Sequence, residues 1–189
     1  MRRSAILVGL MLFLLGCDEN SSVFDVKVSS INGGGPLLAD LLKFDRQLQQ
    51  YFVPEDVVSV AFTNKAKNGA VVTDPGSFLN DFQLRRYTVT WRRADGGPTS
   101  GAGWSLSNYN FEAATSALIP INTTTEVGIL LAPAGMKSQE PFLTALTTGT
   151  EIQLIADIDF IGTRAVASDA EIHIPASLSV NFADFADKQ

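Results

Sequence analysis

The chain has one cysteine, Cys17, one histidine, His173, and twenty acidic side chains. A nucleophilic mechanism needs a base beside a Ser, Cys or Thr. His173 stands in AEIHIPASLSVNF, residues 170–182. Alternation there puts Ala170, Ile172, Ile174, Leu178, Val180 and Phe182 on one face, and Glu171, His173, Ser177, Ser179 and Asn181 on the other. Across a hairpin with IQLIADIDF, residues 152–160, the outward imidazole could face Asp157. A Ser-His-Asp site would also require a positioned Ser and an oxyanion hole, and no G-x-S-x-G is present. A cross-strand ion pair on the solvent face is the preferred reading.

The carboxylates allow two further chemistries. Glycoside hydrolysis wants two carboxyls across a sugar-sized cleft. A calcium clip between Asp157, Asp159 and Asp169 would want many converging oxygens, usually from loops. Two flat rows of strand carboxylates read first as a solvated face. Zinc has one His and no spare Cys to draw on, and neither phosphate-cradling glycine motif stands in its required context. The last candidates are aromatic. Trp104, Tyr109 and Phe111 lie in GAGWSLSNYNF, whose Gly, Ser and Asn content suits a contact surface. The same residues could equally cover the end of a sandwich, which is the preferred reading.

These residues must be positioned by strands. Period-two segments recur at Phe24–Ser30, Val57–Asn64, Leu84–Arg93, Ser116–Ile121 and Glu126–Ala132, besides the two above. Turn residues separate them at 32–36, Asn68-Gly69, Asp74-Pro75-Gly76 and 95–98. Such spacing predicts an all-β antiparallel sandwich of about seven to nine strands. Pro175 should mark a bend, a bulge or an edge, since it has no donor for the ladder. Residues 37–49 are ambiguous: Leu37, Leu41, Phe44, Leu48 and Phe52 have helical spacing, yet ADLLKF could be a strand ending at Asp45. One short helix is expected near 137–147, with Pro141 near its start.

The N-terminus, MRRSAILVGLMLFLLGC, pairs Arg2 and Arg3 with an uncharged apolar run from Ser4 to Leu15. That is the layout of an export signal, too short to span a bilayer as a mature helix. Leu14-Leu15-Gly16-Cys17 resembles the lipobox of bacterial lipoproteins. The resemblance implies cleavage between Gly16 and Cys17, a thioether-linked diacylglycerol on Cys17 and a further acyl chain such as palmitate on its amine. Two or more chains make a stable anchor. A lone thiol in an exported protein is otherwise unexplained. Asp18 resembles the residue that retains lipoproteins in the inner membrane of enteric bacteria.

Cleavage before Cys17 would leave 173 residues with 12 basic against 20 acidic side chains, a net charge of −8. That balance argues against nucleic acid and against adhesion to anionic headgroups. The tether, Asp18–Ser22, spans at most about 18 Å.

Tyr87-x-Val89-x-Trp91 followed by Asp95-Gly96 resembles the third strand and turn of fibronectin type III and related immunoglobulin-like domains, although Phe62 stands where the preceding strand usually has Trp. The ending NFADF resembles lipoproteins of unassigned function that carry one such domain, a likeness that brings no activity with it.

The expectation is therefore a signal peptide at 1–16, a lipidated Cys and tether at 17–22, and one immunoglobulin-like sandwich at 23–189. It would act outside the cytoplasm, on the periplasmic side of the inner or outer membrane, as a non-catalytic binding or structural module. Its partners would be the membrane, through acyl chains, and an envelope protein or glycan. No cofactor is expected beyond the covalent lipid. The alternatives are an envelope hydrolase or carbohydrate-active enzyme using surface carboxylates, and a calcium-dependent adhesive domain.

Overall fold

The structure, a computed structural model, describes residues 24–67, 80–165 and 170–185. Cys17 with the expected signal and tether, the turns expected at 68–69 and 74–76, and Asp169 lie outside those residues. In chain order the strands are β1 (Phe24–Ile31), β2 (Leu37–Asp40), β3 (Lys43–Asp45), β4 (Gln50–Phe52), β5 (Asp56–Ala66), β6 (Phe82–Arg93), β7 (Ser100–Gly101), β8 (Trp104–Ser105), β9 (Phe111–Ile119), β10 (Thr123–Ala132), β11 (Ile152–Arg164) and β12 (Ile172–Ala183). Two helices, α1 (Ala134–Lys137) and α2 (Phe142–Thr148), lie between β10 and β11.

Alternation sorts the long strands into two layers. One sheet runs β1-β5-β10 and the other β2-β12-β11-β6-β9. The two sheets form an all-β sandwich. The inner faces meet in a single core. Phe62 of the smaller sheet packs edge-on against Phe160 of the larger, 4.9 Å between ring centroids. Tyr87 leans on Phe160 and donates its hydroxyl hydrogen to the Leu130 carbonyl at 2.8 Å, tying the sheets together. Trp91 packs on Phe182, and Phe182 on Phe142 of α2, which closes one end. Phe24, Ala66, Phe82 and Arg164 stand at the opposite end.

One expectation needs correction and one open reading is settled. The sandwich is not wholly antiparallel, because β2 pairs parallel with β12 through Val180–Ala183. The chain reaches that position by crossing between sheets at Asn32-Gly33-Gly34, all with positive φ, a run that only Gly makes cheaply. Residues 37–49, open between helix and strand in the sequence, form strands as far as Asp45 and then a turn. Asp40 Oδ1 accepts the Leu42 amide at 3.3 Å and bends the chain, so β2 and β3 are separate short strands. The helix expected near 137–147 is α2, with Pro141 immediately before it, and the four-residue α1 precedes it. Pro175 does occupy an edge, since β2 covers β12 only from Val180 onward.

Two buried features hold this frame. At Gly162 the ladder between β11 and β6 shifts register, and a Cβ there would overlap the Gln83 carbonyl and the Phe82 ring. At the α2 end, the fully buried Lys137 donates from Nζ to Asp56 Oδ2 at 2.8 Å and to the Asp40 carbonyl at 2.7 Å. That contact joins α1, β5 and β2. Burial pushes the Asp56 carboxyl above its usual range even though Lys137 pulls it down.

Gly162→Ala is expected to cost about 3 kcal/mol in urea unfolding, through overpacking. Gly128→Ala, whose Cβ would meet only Val57 at ordinary contact distance, should leave stability unchanged or slightly higher. Lys137→Met should cost about 3 kcal/mol near neutral pH, because it strands the Asp56 charge. Asp56 titrates above its unfolded value of 3.8 in the native state, so its protonation favours folding as pH falls toward that value. Removing Lys137 raises the native value further. The deficit of Lys137→Met should therefore shrink between pH ~7 and pH ~4.5, measured as the difference in unfolding free energy from the parent.

Candidate functional site

The chemistry-bearing side chains gather on the outer face of the five-stranded sheet. The alternation that buries Ala156, Ile158 and Phe160 of β11 turns Asp157 and Asp159 outward. Register then sets their neighbours. Thr88, Asp159 and Pro175 form one row across β6, β11 and β12, and Thr90, Asp157 and Ser177 form the next. Arg86, Ile161 and His173 lie in the row on one side, and Arg92, Ile155 and Ser179 in the row on the other. The short side chains of the two middle rows sink between longer neighbours. The result is an open depression of about 540 Å³, lined by Thr88, Thr90, Asp157, Asp159, Pro175 and Ser177.

The ion pairs on this face are diagonal, the geometry that long side chains reach across a ladder. Arg92 Nε meets Asp157 Oδ2 at 2.6 Å. His173 Nδ1 lies 2.6 Å from Asp159 Oδ2. Arg86 bridges Glu171 at 2.8 Å and Glu112 at 3.5 Å. The expected partner of His173 was Asp157. The longer β11 places Ile161 directly opposite His173, so its diagonal acid is Asp159. Asp157 and Asp159, two of the three proposed calcium ligands, are thus engaged by Arg92 and His173. Among the described residues, no group of three or more His, Cys, Asp or Glu side chains is arranged to hold a metal ion.

The aromatic candidates do not come together as an open surface. Tyr109 is buried: its ring packs on Phe142 at 5.7 Å, and its hydroxyl donates to the Glu140 carbonyl. Burial, then the nearby Glu140 charge, pushes its phenol pKa up. Phe111 is half-buried against Tyr87. Trp104 is half-buried over Gly101, where a Cβ would strike the indole. Asn110, beside them, accepts the Trp91 amide at 3.0 Å through its side chain. In the turn after β6, a hydrogen bond from Arg93 and then the Gly97 amide hold the Asp95 carboxyl well below the usual range.

Sequence reasoning missed two features. Lys137 gave no signal, since a lysine in MKSQEP reads as exposed. The hairpin β3–β4 exposes Leu48, Tyr51 and Phe52 at the α2 end, while Asp45 caps its turn through the Gln47 and Leu48 amides. Among the described residues no helix is long and apolar enough to cross a membrane. No family model, curated protein or solved structure matches this chain.

The surface pairs should contribute little to stability. A double-mutant cycle on Arg92→Ala and Asp157→Ala is expected to give a coupling of about 0.5 kcal/mol. That coupling should fade in ~1 M salt, as screened, half-exposed charges do.

Proposed function

We propose that this chain is a lipid-anchored protein of the bacterial cell envelope, held by acyl groups on Cys17 and acting as a non-catalytic binding or structural module. The observation that carries the non-catalytic part is the pairing on the outer face. Asp157, Asp159, Glu112 and Glu171 each face Arg92, His173 or Arg86. A carboxylate held by a guanidinium serves as a fixed acceptor and is poorly placed to work as a general acid. The anchoring part is supported by the export signal and by Cys17 as the sole cysteine.

The strand order adds an orientation. The tether ends at Ser22 and β1 starts at Phe24, at the end of the sandwich remote from α2. A short tether keeps that end against the membrane. The α2 end, with exposed Leu48, Tyr51 and Phe52, then faces away from the bilayer, where envelope components are met.

Full-length protein purified from native membranes in detergent should carry acyl chains on Cys17, read by intact mass. It should also capture an envelope component in stoichiometric amount, and Cys17→Ala should lose both the acyl mass and the membrane fraction. An unmodified thiol on Cys17 would overturn the localisation. Normal acylation with no captured component would overturn the stable-complex form of the binding role.

A further inference from the structure

We infer that the depression on the outer face of the five-stranded sheet binds a neutral, hydroxyl-rich ligand, a segment of an uncharged glycan; this names the ligand class of the binding role proposed above and rests on that role. The argument starts from the floor. Thr88, Thr90 and Ser177 bring three hydroxyls to two adjacent rows; Thr90 donates its hydrogen to the Asp157 carbonyl at 3.4 Å and offers its lone pairs, whereas a hydroxyl without such a contact can both donate and accept. Asp157 and Asp159 stand between them on β11. Their outer contacts are already made, Arg92 on Asp157 and His173 on Asp159 Oδ2, so both carboxylates are oriented before a ligand arrives. Asp159 Oδ1 is left for the depression. A carboxylate oxygen beside hydroxyls matches the neighbouring hydroxyls of a sugar ring. The Pro175 ring supplies an apolar surface at the edge of the same floor, suited to the C–H face of a pyranose.

Charge and shape narrow the class. The two Asp side chains outnumber the one permanent cation, Arg92, that touches them, so phosphate, sulfate and uronate groups are disfavoured. Arg92 and His173 already hold one side of these carboxylates, which disfavours a free cation there. The volume, about 540 Å³, is in the range of small-ligand sites. Its openness suits an internal stretch of an extended polymer, which passes across the sheet without needing a closed pocket. Water fills such a face when empty, and a ligand rich in hydroxyls replaces those contacts in kind. The affinity expected is weak, with Kd on the order of 1 mM.

The test is saturation-transfer NMR on the full-length protein in detergent micelles. The probes are a pool of neutral gluco-, manno-, galacto- and N-acetylglucosamine oligosaccharides, and a matched pool of uronate oligosaccharides. Neutral oligosaccharides should receive saturation and uronates should not. Ser177→Arg and Thr88→Arg, both outward on the sheet and checked by unchanged thermal melting, should each abolish the signal by filling the floor. Asp159→Asn should weaken it about tenfold, the loss of one charge-assisted hydrogen bond. No transfer to any neutral oligosaccharide overturns the inference. So does binding that survives both arginine substitutions, which would place the site elsewhere, or a preference for uronates, which would reverse the ligand class. Intact mass on the same sample keeps the two readings apart: sugar binding by a protein with a bare Cys17 would sink the anchor and leave the site standing.

Discussion

Phe160 of β11 and Phe62 of β5 meet edge to face in the gap between the two sheets, and the rest of the molecule is registered on that contact. β11 is the middle strand of the larger sheet and pairs along its length with β12 and β6. Side chains alternate with a period of two, so a slip of one residue would send Phe160 outward and bring Asp159 into the core. The cost of burying that carboxylate beside Phe62 far exceeds any single surface interaction. The aromatic contact therefore decides the interior and also which residues of β6, β11 and β12 face water together.

The ends of the sandwich obey a different constraint. Where strands stop, backbone groups lose their ladder partners and must find others. At the α2 end, Asn110 accepts the Trp91 amide where β9 has not yet begun, Asp40 accepts the Leu42 and Phe185 amides, and Lys137 covers the Asp40 carbonyl. Lys137 is fully buried, and Asp56 is its counter-charge. A buried pair of this kind adds little net stability over an apolar substitute. It is strongly asymmetric, however, because neither partner can be removed alone. That asymmetry fixes α1 against β2 and β5, and through α2 it fixes the platform on which Tyr109 and Phe182 pack.

The long strands were legible because each buries one face, and burial of one face writes itself into the residues as alternation. Val57–Asn64 and Leu84–Arg93 lie within the strands the structure contains, as does the 152–160 segment, although β11 runs on to Arg164. What alternation does not carry is partnership. β2 is only four residues long, and its parallel pairing with β12 follows from where the glycine turn delivers the chain. The helical spacing of Leu37, Leu41, Phe44, Leu48 and Phe52 arose from three short strands and a turn that happen to place an apolar residue about every fourth position. His173 was correctly read as outward, and an acid was correctly placed beside it. The particular acid depended on the extent of β11, which the alternation read over 152–160 did not reveal. The Gly-Ser-Asn loop around Trp104 had a composition that suits both exposure and closure, and Phe142, far along the chain, decided for Tyr109.

The same alternation separates two kinds of work. On β11, stability lives in Ile152, Leu154, Ala156, Ile158 and Phe160, all buried, while Asp157 and Asp159 contribute through half-exposed pairs of small energy. A change on the outer face therefore alters what the molecule presents without unsettling what holds it together. The net charge of −6 hides this organisation, since the acids of this face are paired locally with Arg86, Arg92 and His173. What the outer face presents is a pattern of oriented donors and acceptors in register, set by the strands beneath it rather than by the overall acidity of the chain.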